Sequence, residues 1–158
     1  MDISLVYTPA PGGGLGLFDL AMNGSDLAQG NDLLSAVLLS LFTNRLAEPD
    51  DVLPASTQDR QGWWGDDFAA VEGDLIGSRL WLLCREKQTN ETLVQAQEYV
   101  TEALQWLIDD GVGASVNCNV TFPRMNWLGI QIQFIHSDGT SSQYEFLWDQ
   151  IQNQFIQN

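Results

Sequence analysis

The sequence predicts an α+β domain: helices packed on a mostly antiparallel β-sheet, with a long irregular tryptophan-containing loop. Three observations carry this. Near the end of the chain, apolar and polar residues alternate strictly, as in strands with one wet face. Before those strands, Leu93, Ala96, Val100, Ala103, Leu104 and Leu107 recur on one helical stripe. Between Leu46 and Leu75 no period is sustained.

The elements follow in order. Ile3–Tyr7 and Leu15–Met22 read as two strands, separated by the proline- and glycine-rich "TPAPGGG", and are expected to pair as a loose hairpin. Asp32 is placed to cap a helix from Leu33 to about Arg45. That helix is apolar on nearly every side, so protein is expected to surround it in the core or at a subunit interface. The following Leu46–Leu75 stretch holds Pro49, Pro54, Gly62, Gly65 and Gly73 with a run of acids. A loop of about thirty residues is far above the usual length, and long loops tend to carry function. Ser78 is placed to cap a short apolar helix ending near Lys87; a buried strand is the alternative. Thr89 or Asn90 caps a helix over about Glu91–Asp109, and Gly111 ends it. Ala114–Phe122, Leu128–Ile135 and "SQYEFLW" then form an antiparallel meander, the last two joined by the "SDGT" turn, Ser137–Thr140. The tail "DQIQNQFIQN" reads as a terminal helical turn or a frayed end. The whole is one domain over 1–158, with residues 1–30 as an N-terminal arm of strands.

The charge narrows the function classes. Formal net charge is −15, from 21 acidic and 6 basic residues. The basic residues Arg45, Arg60, Arg79, Arg85, Lys87 and Arg124 form no run, so a phosphate-tracking nucleic-acid surface is not expected. An anionic membrane surface would repel the chain. The longest apolar stretch, Leu33–Phe42, is about half the ~20 residues a span needs. No basic region followed by an apolar run marks a secretion signal. Two cysteines, Cys84 and Cys118, do not make a disulfide-dependent fold, which fits a cytosolic setting. On that basis the N-x-[ST] triplets at Asn23, Asn90 and Asn119 are chance.

The catalytic inventory is thin. One histidine, His136, precedes the "SDGT" turn, and there is no G-x-S-x-G. Cys84, on a short apolar segment, reads as a buried structural thiol. No C-x-x-C, H-x-x-x-H or calcium-loop spacing occurs, and "EPDD" (Glu48–Asp51) reads as a solvated acidic run. The run "GGGLG" does not enter a helix as a dinucleotide turn must. No metal or cofactor is expected. Paired carboxylates for glycoside cleavage remain as an alternative, with Asp59, Asp66, Asp67, Glu72 and Asp74 all near tryptophans. An acidic regulatory binding protein is a further alternative.

One string is specific: Asp59-Arg60-x-Gly62-Trp63-Trp64-Gly65-Asp66. It is followed by Ile76-Gly77-Ser78-x-Leu80-Trp81-Leu82-Leu83-x-Arg85-x-Lys87. Together these resemble the Mu-like phage baseplate (tail-wedge) protein family, itself similar to the baseplate-assembly W proteins of contractile tails. The preceding "LLSLFTNRLAEPDD" and the later "ALQWLIDDGV" fit the same layout, so the resemblance covers about Leu33–Gly139. Leu46 and Gln61 depart from it at positions where basic residues are expected. The resemblance implies a structural subunit of a phage or prophage-derived tail, not an enzyme. It would assemble with other baseplate subunits in the host cytoplasm and end in the virion tail.

Adjacent indoles cannot face the same way on a regular element. Either the loop folds back and buries Trp63 and Trp64 in its own domain, or they dock on a neighbouring subunit; one indole could do each. Aromatic residues and arginine are what interface centres favour. The candidate interface or loop-anchor residues are therefore Asp59, Arg60, Gly62, Trp63, Trp64, Gly65, Asp66, Arg79, Trp81 and Arg85. Arg60 is expected to pair with Asp59, Asp66 or Asp67.

Overall fold

The computed structural model describes residues 5–8, 17–20, 22–23, 26–27, 32–54, 57–69, 71, 73 and 75–157. At the N-terminus, β1 (Leu5–Thr8) and β2 (Leu17–Leu20) pair antiparallel as the expected hairpin. The short strands β3 (Met22–Asn23) and β4 (Asp26–Leu27) pair next. Helix α1 spans Asp32–Phe42. Capping by the Asp32 side chain lies outside the described residues.

Helix α1 stops three residues before the expected Arg45 because the backbone there finds a different partner. Ser78 N donates to Thr43 O at 2.9 Å and Arg45 N donates to Ser78 O at 3.0 Å, making a parallel bridge between Asn44 and Ser78. The excursion from Arg45 to Gly77 is therefore a loop closed at its neck. Gly77 makes the closure possible. Its φ is +101°, and a Cβ there would lie 2.3 Å from Thr43 O.

Within the loop, Trp64–Phe68 forms a 3-10 turn. Past the neck the apolar run makes only a 3-10 turn, Leu80–Leu83, instead of a helix to Lys87. All four of its residues are buried, so packing on every side replaces a one-sided helical stripe. The long helix is divided. α2 covers Asn90–Leu104, with Thr89 Oγ1 accepting from Thr92 N at 3.2 Å as its cap. α3 is the short turn Trp106–Asp109, after which Val112 N returns to Leu107 O at 2.9 Å.

The sheet has four strands in the order β5 (Ser115–Arg124), β6 (Trp127–Ile135), β7 (Ser141–Asp149) and β8 (Gln154–Gln157), all antiparallel. The three central expectations hold; the tail does not. It is a fourth strand, neither a helical turn nor a frayed end. Asp149 Oδ1 accepts from Ile151 N at 2.8 Å and from Gln152 N at 3.2 Å. Asn153 adopts φ +52°, and its Oδ1 accepts from Trp148 Nε1 at 3.0 Å. Those contacts reverse the chain and set Gln154 opposite Asp149.

The core lies between this sheet and helices α1 and α2. Val37, Leu38 and Leu41 meet Val100, Leu104 and Leu107, with Ile130, Phe134, Phe146 and Trp148 beneath. A smaller buried cluster of Ala47, Trp81 and Leu82 sits apart from it, with Leu53 and Tyr99 packed against it.

Candidate functional site

The loop is anchored from inside its own domain by two arginines. Arg60 Nη2 donates to Ala47 O at 2.8 Å and also to Glu48 O, while Ala47 N donates back to Arg60 O at 3.0 Å. This corrects the expected pairing with Asp59, Asp66 or Asp67: a guanidinium fork reaches two consecutive carbonyls, of which Glu48 O also accepts from Asp51 N at 3.0 Å. Arg79 is the second anchor. Its Nη1 binds both Asp51 oxygens at 3.0 and 3.1 Å, and its Nε binds Glu102 Oε2 at 3.0 Å. The guanidinium also lies 4.7 Å from the Tyr99 ring centroid. Arg79 thereby ties the acidic turn of the loop to α2. "EPDD" is not merely solvated, since Asp51 Oδ2 also accepts from Glu48 N at 2.7 Å.

The signature string shapes what the anchors hold. Asp59 Oδ1 accepts from Gln61 N at 2.9 Å, closing a turn that carries Gln61 into φ +56°. The Gln61 side-chain oxygen accepts from Asn44 Nδ2 next to the neck, so the uncharged residue at this position has a bonding role. Gly62 lies against Leu46. Trp63 lays its indole over Gly65, where a Cβ would come within 2.1 Å of the ring. Asp66 Oδ1 accepts from Ile76 N at 3.2 Å, joining the two sides of the loop.

The indoles are not swallowed by the fold. Trp63 is 42% exposed, Trp64 74% and Phe68 80%. They pack in series, with ring centroids 5.4 Å apart and planes tilted by 44° for Trp63–Trp64, and 6.4 Å apart edge-to-face for Trp64–Phe68. The third tryptophan of the motif differs. Trp81 is 3% exposed and its Nε1 donates to Arg45 O at 2.9 Å, so it secures the base of the loop. Arg85 is distant from these contacts in role: it is exposed, has φ +64°, and its backbone N binds Gln150 O at 3.0 Å. Glu72 and Asp74 lie outside the described residues.

Beside the aromatic edge, a groove of about 1250 Å³ runs between the loop and the helices. Leu39 on α1, Trp106 on α3, and Trp63 and Val71 on the loop line it. Trp106 was not singled out in the sequence because it falls beside the core stripe. Its Nε1 donates to Ser40 Oγ at 2.9 Å, pinning α3 to α1 while 41% of the residue stays exposed. Asp51, Tyr99 and Glu102 were also missed. Their partner, Arg79, lies 28, 20 and 23 positions away, so no local pattern could reveal them.

Among the described residues, no group of three or more His, Cys, Asp or Glu side chains is placed to hold a metal ion. Among the same residues no helix is long and apolar enough to cross a membrane.

Known proteins are similar to this chain in sequence. A family model described as phage protein GP46 matches residues 33–141. The chain is 39% identical to baseplate protein gp46 of Escherichia phage Mu over 145 residues, 92% of this chain and 94% of that protein. It is 38% identical to Mu-like prophage FluMu protein gp46 of Haemophilus influenzae over 128 residues, 81% and 86% of the two chains. The matched region holds the neck, both arginine anchors and the exposed indoles, and the chain belongs to the GP46 phage protein family.

Proposed function

We propose that this chain is a structural subunit of a contractile phage or prophage-derived tail baseplate, acting through protein–protein assembly with other tail subunits. The observation that carries this reading is the aromatic edge Trp63–Trp64–Phe68. It is held on a loop whose neck, arginines and buried Trp81 keep it in place without covering it. Exposed aromatic residues on a fixed backbone lose little entropy on docking, which suits a permanent subunit contact. The relative named a baseplate protein matches along almost the whole of both chains, which supports the same role. Assembly would take place in the host cytoplasm and leave the protein in the virion tail.

The role is not enzymatic in this reading. Asp66 spends one oxygen on the Ile76 amide, and Asp59 is committed to its own turn. These are structural uses of carboxylates, not a general acid facing a nucleophile. Purified protein is expected to leave peptidoglycan turbidity unchanged.

The assembly test replaces both indoles. Trp63→Ala/Trp64→Ala is expected to give a folded monomer that no longer co-purifies with the neighbouring baseplate subunits. Recovery of the complex at parental levels by the folded double variant would sink the docking role.

A further inference from the structure

The groove is polarised in a way the aromatic edge is not. Its walls present Leu39, Trp63, Val71 and Trp106, all large apolar residues left partly in water. Among the described residues four carboxylates line it, Asp66, Glu102, Asp109 and Asp110, against a single cation, Arg45. Arg45 is already 3.8 Å from Glu102, and Arg79 also neutralises Glu102. Asp109 and Asp110 are left exposed at the end of α3. Asp66 Oδ2 is itself shut off from solvent, so the exposed pair Asp109 and Asp110 carries the charge a partner can reach.

We infer that this groove seats a segment of a different tail protein that carries Lys or Arg among apolar residues. The inference rests on the baseplate reading above and assigns that partner's chemistry. Two nearer occupants fail on charge. Residues 1–31 of this chain contain Asp2, Asp19 and Asp26 and no Lys, Arg or His. A second copy brings another net −15. Three of its six basic residues, Arg45, Arg60 and Arg79, are already engaged within the fold. A basic, apolar segment instead places side chains between Trp63 and Trp106 and cations against Asp109 and Asp110. Like charges in such a site would be repelled, so the acids also select the partner.

The experiment uses tails purified from the phage or prophage that encodes this chain. A photo-crosslinking p-benzoylphenylalanine side chain replaces Val71 in one variant and Leu39 in another, on opposite walls of the groove. Gln143, exposed on the sheet, carries it in a control. Both groove positions are expected to cross-link to one segment of another tail protein containing Lys or Arg among apolar residues, and Gln143 is not. In parallel, Asp109→Lys/Asp110→Lys, checked for an unchanged thermal melt, is expected to enter tails at least tenfold less than the parent. Asp109→Asn/Asp110→Asn should fall between them. A cross-link to residues 1–31, to a second copy, or to an acidic or uncharged segment overturns the proposal. So does the absence of any cross-link from both walls, or parental incorporation of the folded lysine variant. If the parental chain is itself missing from the tails, the baseplate reading fails and the groove assignment falls with it.

Discussion

A Cβ at position 77 would lie 2.3 Å from Thr43 O in a backbone already at φ +101°, so side chains are barred there twice over. The conformation alone costs a non-glycine residue about 1–3 kcal/mol. Gly77→Ala is expected to lose at least that, read as a lower urea midpoint, and an unchanged midpoint would contradict the closed neck. Arg79 is decisive for another reason. Its side chain is 19% exposed and Asp51's 12%, so the pair is largely out of water and removing one partner strands the other. The two thiols give a pH signature. Burial pushes both Cys84 and Cys118 up to about 11 from an ordinary 9.0. The unfolded thiols ionise first, so the stability gained from keeping them neutral is fully present below about pH 9 and is lost as pH rises through about 11. The difference in urea midpoint between the parent and Cys84→Ser/Cys118→Ser is expected to shift against the parent between those values. A pH-independent difference would show that the thiols are not shielded.

Helix α2 was legible as an element because its stripe and its cap agree, although Gly111, at φ +73°, follows the separate turn α3 and does not close α2. Thr89→Ala is expected to cost about 1 kcal/mol, the usual worth of an N-cap. The Thr92 hydroxyl donates to Lys87 O at 2.6 Å, which gives the same turn a second tie. Chemical unfolding of the variant checks the value, and no loss would mean the Lys87 contact suffices. The strands were legible for the same reason: Val116, Cys118 and Val120 turn inward while Asn117, Asn119 and Thr121 face water. Elements decided by one or two side-chain contacts were not. β8 depends on Asp149 and Asn153 reversing the chain, a signal that reads as ordinary polar sequence. The loop looked irregular because its order comes from Arg60 and Arg79 reaching distant groups, not from any period.

For the whole molecule the dominant field is its own charge. With 21 acids against 6 bases, repulsion works against the compact state and against copies meeting one another. Raising NaCl from about 10 mM to about 150 mM shortens the screening length from about 30 Å to about 8 Å. The melting temperature is expected to rise over that range, as screening relieves more repulsion than it weakens attraction in the few ion pairs. A fall would mean that the Arg45–Glu102–Arg79–Asp51 network outweighs the net charge.

The sequence by itself determined the α+β class, the central strands, helix α2 and the family string around Trp63 and Trp64, because periodicity, caps and motif spacing are local properties. Its residue inventory offered no nucleophile–base or metal-ligand motif and left paired carboxylates as the open catalytic alternative. Only the tertiary structure decided what each motif residue does. Trp81 and Trp64 look equivalent in one dimension, yet one is buried against Arg45 and the other stands in water. Arg60 looked like a partner for the acids beside it and instead holds two carbonyls more than ten positions away. Burial and charge pairing depend on which distant groups the closed neck brings together, and no local pattern encodes that.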